Sequence, residues 1–128
     1  MNKYEQLVAE YESELNIEER NMINDGLYCD NFVWIKKKLS TAEKLSIIAE
    51  EIGHYKTSYG NILDQSDLMN VKQELLARRW AYEKVLPLNL VMDAIKNGIS
   101  EVYDLADYFD VTELFMRECL KHYKLLDI

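Results

Sequence analysis

Two carboxylates and an imidazole stand close together in Ala49-Glu50-Glu51-Ile52-Gly53-His54. Residues four apart share one face of a helix, so Glu50 and His54 point the same way. Glu51 sits about 100° round the axis, beside the space between them. In the spacing His-Glu-x-x-His, two histidines hold zinc and the glutamate serves as general base. Here Glu50 occupies the first ligand position, His54 the second, and Glu51 the position of the base. Zinc accepts both imidazole nitrogen and carboxylate oxygen, and a catalytic site takes three protein ligands with one position left open. Two carboxylates and one histidine make a harder donor set than two histidines and one carboxylate, so manganese or magnesium competes with zinc for it. The same letters also suit an ordinary solvated helix, where a histidine near the C-terminus interacts favourably with the dipole.

These residues need a helix to carry them, and its start is visible. Ser40-Thr41-Ala42-Glu43 is a capping box, in which the Ser40 hydroxyl accepts from the Glu43 amide and the Glu43 carboxylate from the Ser40 amide. The helix is predicted from residue 41 to about 55 or 56, with Leu45, Ile48, Ala49 and Ile52 as its buried stripe. Gly53 costs about 1 kcal/mol in a helix interior relative to alanine, which makes sense if another backbone passes close or if the helix needs room beside a site. A third ligand has to come from elsewhere. A later helix, predicted over about 70–85 and stopped by Leu86-Pro87, offers Glu74 among Ala77, Trp80 and Ala81. A glutamate there is unusual on a face expected to be core. With zinc held by Glu50, His54 and Glu74, Glu51 takes a proton from water, hydroxide attacks a peptide carbonyl, and Glu51 returns the proton to the leaving amine.

Around this pair the chain reads in order as follows. Tyr4, Leu7, Val8, Tyr11 and Leu15 recur at helical steps and predict a helix over 2–15. Residues 16–24 are polar and mixed, and read equally as a short helix or a loop. After Gly26, two short aromatic and β-branched runs flank Asp30-Asn31 and predict a β-hairpin. It has to pack on a helix to be stable, and it offers an edge to which an extended substrate adds as a strand. Lys36-Lys37-Lys38 reads as a solvated strand edge. Residues 57–69 form a polar connection of the kind that lies over functional sites.

Residues 88–128 are expected to form a C-terminal helical unit after a catalytic-type unit over 1–87. One helix ends at Asn97-Gly98. A second covers 102–109. Thr112 caps a third, running to about residue 125. The rhythm is that of a helix-turn-helix.

Bulk properties narrow the classes. The 128 residues are 48% hydrophobic and 30% charged, with four glycines and one proline. That fits a helix-rich α+β fold of one domain or two small ones. A net charge of −8 opposes binding to DNA or to an anionic membrane, since both need a cationic face. Glu113, Glu118 and Asp127 stand beside Arg117, Lys121 and Lys124, with Asp104, Asp107 and Asp110 before them, and place the same objection on the helix-turn-helix-like segment. Cys29 and Cys119 are too few and too far apart for a disulfide framework, and both are expected to be packed small side chains. With no apolar leader at Met1-Asn2-Lys3-Tyr4-Glu5, the expected location is cytoplasmic.

Four blocks carry a resemblance. Gly26-Leu27-Tyr28-Cys29-Asp30, Leu39-Ser40-Thr41-Ala42-Glu43-Lys44, Ala49-Glu50-Glu51-Ile52-Gly53-His54, and the run from Glu74 through Ala77, Trp80 and Ala81 to Pro87 resemble the ImmA/IrrE-type metallopeptidases. The likeness is to the short versions found in phages, prophages and mobile elements of Gram-positive bacteria. It implies a zincin-like core with His54 and Glu74 as ligands and Glu51 as base. Glu50 departs from the histidine that the family carries at the first ligand position. The resemblance also implies a helix-turn-helix repressor as protein partner, cleaved or antagonised so that the phage or mobile element is derepressed. The C-terminal unit then supports the core or docks the partner. Two further readings remain beside this one: a zincin-like protein without catalysis that works by protein–protein interaction, and a DNA-binding regulator.

Overall fold

Asn2 starts the first helix by accepting from the Glu5 amide at 2.8 Å, while the Glu5 carboxylate accepts from the Asn2 amide at 3.1 Å. This helix, α1 (Lys3–Tyr11), opens a computed structural model that describes residues 1–58 and 67–126; of residues 67–70 it describes only the helical backbone. The order continues β1 (Asn16–Arg20), β2 (Gly26–Cys29), β3 (Phe32–Lys36), α2 (Thr41–Thr57), α3 (Asp67–Val85), α4 (Leu88–Lys96), α5 (Val102–Phe109) and α6 (Glu113–His122). The fold is α+β and predominantly helical, as the sequence predicts. Helix α1 stops four residues short of the predicted end, although Leu15 beyond it is still buried.

The hairpin is present. Asp30 and Asn31 have φ of 46° and 69°, the left-handed pair that a two-residue type I′ turn requires. Cys29 faces Phe32 across it, and Gly26 faces Ile35 at the open end. The mixed stretch after α1 is neither a helix nor simply a loop. It contains β1, which runs parallel to β3 and completes a three-stranded sheet of order β1-β3-β2. Only Ile17 of β1 is partly covered and the other four residues are exposed, so the apolar alternation that marks a strand is missing. Strand β3 is therefore central. The lysine run leaves the middle of the sheet rather than its edge, with Lys37 and Lys38 exposed in the turn to α2. Val33 and Ile35 are fully buried, and together with α2 they form the middle of the core.

The Ser40 capping box forms as predicted, with Glu43 N to Ser40 Oγ at 3.2 Å and Ser40 N to Glu43 Oε1 at 3.0 Å. Leu45, Ile48, Ala49 and Ile52 are all buried. Residues 59–66, most of the polar connection expected over a functional site, lie outside the described residues.

In the C-terminal helices, Gly98 turns the chain at φ 97° and Asp110 at φ 55°. Thr112 Oγ1 accepts from the Phe115 amide at 3.1 Å. These helices share the core with the rest of the chain. The Tyr82 ring meets Phe115 edge-on at 5.2 Å, and the Tyr123 hydroxyl donates to the Leu86 carbonyl at 2.8 Å. Cys119 is packed in that core, but Cys29 is exposed, because it falls on the strand face turned away from α2.

Candidate functional site

Helices α2 and α3 meet through small residues. A Cβ at Gly53 would run into the Ala77 carbonyl oxygen and come within 3.0 Å of its carbon. One turn away on each helix, Ala49 and Ala81 are fully buried. Backbones this close bring short side chains within reach of one another. His54 Nε2 lies 3.1 Å from Glu74 Oε2. Arg78, one turn beyond Glu74, lies 3.8 Å from its other oxygen.

Two more carboxyls share this environment. Burial raises the Glu51 carboxyl most, and the charges of Glu50 and Glu74 raise it further, to about 7. Burial also raises Glu50, with Arg78 opposing and Glu74 adding to the shift. Three acidic side chains thus lie around one imidazole. Such an excess of negative charge attracts a cation, and a group that titrates near neutrality suits a base that must both take and return a proton.

Gly26 covers the base. A Cβ there would lie 2.9 Å from Glu51 Oε2 and would strike Ile47 Cγ2. The Glu51 carboxylate can swing aside, but Ile47 Cγ2 is the branch methyl of a β-branched helical residue, so β2 and α2 have to shift apart to admit a methyl group. Gly26→Ala is expected to cost about 1–3 kcal/mol of stability. It should also shift the Glu51 titration in the metal-free protein, which carboxyl NMR reads directly. An unmoved titration would mean that β2 does not shape the surroundings of the base.

The predicted residues are brought together unequally. His54 and Glu74 converge. Two ligand atoms on one tetrahedral zinc stand about 3.3 Å apart at ordinary bond lengths, so their 3.1 Å separation fits a shared cation. Glu51 stands beside them. Glu50 is near enough to feel the Glu74 charge. Even so, no group of three or more histidine, cysteine, aspartate or glutamate side chains converges closely enough to hold a metal among the described residues. His54 and Glu74 therefore meet as a pair, and Glu50 stands at its margin. Sequence reasoning missed Arg78 and the covering role of Gly26. Arg78 was signalled by its i+4 spacing from Glu74. Nothing local in the sequence places Gly26 over Glu51.

The family model of the M78 peptidases, described as the IrrE N-terminal-like domain, matches residues 7–121. The chain belongs to that family. Neither a curated protein nor a solved structure matches it. The M78 match runs from α1 into α6, so it takes in the C-terminal helices as well as the α2–α3 pair. M78 peptidases are typically metal-dependent. No helix among the described residues of this M78 chain is long and apolar enough to cross a membrane.

Proposed function

We propose that this M78 chain is a metal-dependent endopeptidase that acts on a helix-turn-helix repressor and so derepresses a phage or mobile element. The observation that carries the reading is the meeting of His54 and Glu74 across two helices at 3.1 Å, with the raised carboxyl of Glu51 beside them. His54 and Glu74 would hold the cation, with Glu50 as the further ligand. Zinc suits the nitrogen and oxygen donors, and manganese is the harder alternative. Once bound, such a cation polarises a peptide carbonyl and acidifies water.

The remaining steps fall to the chain itself. Glu51 is part-protonated near neutral pH, so it can take a proton from water and pass it to the leaving amine. Among the described residues, strand β2 pairs only with β3, and its Gly26 end lies over Glu51. A substrate segment added along that free edge would bring a peptide bond to the base. The C-terminal helices, acidic on α5 and at the start of α6, suit contact with a basic partner protein.

The test is incubation with a candidate repressor and zinc or manganese, followed by intact-mass spectrometry. Two fragments that sum to the repressor plus one water are expected, and none with Glu51→Gln. One observation favours a second reading, a zincin-like antagonist without catalysis: no third donor closes on the pair among the described residues. In that case the repressor stays whole, and wild type and Glu51→Gln inhibit its DNA binding equally.

A further inference from the structure

Between α6 and the α2–α3 pair runs a groove of about 620 Å³. Ile47 and Leu114 give it apolar walls, and Leu114 is 69% exposed. Asp25, Glu43, Glu50 and Glu118 add four carboxylates. Among the described residues that line it, Arg78 is the only cation, and it lies against Glu74; Lys121, beside the groove, lies 3.4 Å from Glu118. The Phe115 amide at the start of α6 is already satisfied by the Thr112 hydroxyl, which limits what that helix end offers an anion.

We infer that the groove receives a cationic, amphipathic peptide segment, with the aliphatic stem of a lysine or arginine along Leu114 and Ile47 and its charged head met by Glu43 and Glu118. Long basic side chains pack in this way, stem on an apolar wall and charge at a polar rim. Charge complementarity selects this occupant, because an acidic segment would face the carboxylates of Asp25, Glu43 and Glu118. A DNA-binding protein necessarily carries such segments where it contacts phosphate. Glu50 lines the groove and also flanks the His54–Glu74 pair, so a segment held here lies next to the site. Its placement as substrate rests on the peptidase reading; its binding does not.

The test is fluorescence anisotropy with a labelled peptide of leucine and lysine in amphipathic spacing, against the same peptide with glutamate for lysine. The lysine peptide is expected to bind at least about tenfold more tightly at moderate salt. The combined variant Glu43→Gln, Glu118→Lys keeps the α2 capping box, since glutamine caps as glutamate does. It should weaken the lysine peptide at least about fivefold, and Leu114→Ser should weaken it as well. Reversal of the remote Asp104 and Asp107 should change binding less than about twofold. Equal binding of the two peptides would overturn the assignment. So would an equal loss from the groove and remote reversals, which would reduce the effect to overall charge.

Repressor cleavage measured with the same variants separates the two claims. If peptide binding follows the expected pattern while cleavage is absent or does not need Glu51, the groove stands and the peptidase reading fails. If cleavage needs Glu51 but the groove variants leave peptide binding and cleavage unchanged, the peptidase reading stands and the groove assignment fails.

Discussion

Glu51→Gln is expected to remove cleavage and at the same time to stabilise the metal-free protein in mildly alkaline solution. Loss of a positioned general base costs typically 10²–10⁴-fold in rate. The stability effect follows from linkage. The Glu51 carboxyl is raised by burial and by its acidic neighbours from the ordinary value of 4.5 to about 7. The folded chain therefore binds more protons than the unfolded chain between those values. Glu51 costs the fold nothing below the unfolded pKa, and stability is lost as pH rises through the folded pKa. At about 1.4 kcal/mol per pH unit, the loss amounts to about 2–3 kcal/mol by pH 8, allowing for partial solvent access. Glutamine has no charge to bury. The variant should therefore match wild type near pH 4 and exceed it at pH 8, in denaturant melts of protein stripped of metal. A parallel pH dependence in both proteins would contradict the assigned environment of Glu51. The conflict is physical: the low-dielectric setting that prepares a base is one that the ionised base destabilises.

Gly53→Ala is the second large effect, and its sign opposes helix propensity. On an isolated helix, alanine in place of glycine stabilises by about 1 kcal/mol. Here the added methyl group meets the Ala77 carbonyl, which is backbone and cannot swing aside. The helices have to separate, and overpacking of this kind costs about 1–3 kcal/mol or more. A net loss of about 2 kcal/mol is expected. Separation also pulls His54 away from Glu74, so metal affinity should fall with stability. Thermal melts with and without added zinc measure both. A neutral or stabilising Gly53→Ala would mean that the two helices do not need their close approach.

The same glycine shows how far the sequence could be read. Its place inside a strong helix pattern already pointed to a passing backbone or to room beside a site, and the capping box at Ser40 set the frame of the helix that carries Glu50, Glu51 and His54. Those signals are local, as is the Asp30-Asn31 turn, and all of them are found in the structure. Strand β1 was not legible because it buries almost nothing: it is held by its pairing to β3, and a hydrogen-bonded edge leaves little pattern in side-chain types. The central position of β3 depends on that pairing and was hidden with it. The exposure of Cys29 was missed because free cysteine is usually buried, whereas here the strand's alternation turns it outward. At the site, Glu74 could be nominated from an acidic letter on an apolar face. The covering of Glu51 by Gly26 joins residues far apart in the chain and has no local signature.

The central claim is that α2 and α3 together form a metal site, and the metal content of protein purified without a histidine tag tests it most directly. Mass spectrometry under native conditions, or titration calorimetry with zinc and manganese, should find one ion per chain. That binding should be lost in both His54→Ala and Glu74→Ala, and weakened in Glu50→Gln. Absence of stoichiometric binding, or a Glu74→Ala chain that binds as well as wild type, would contradict the account.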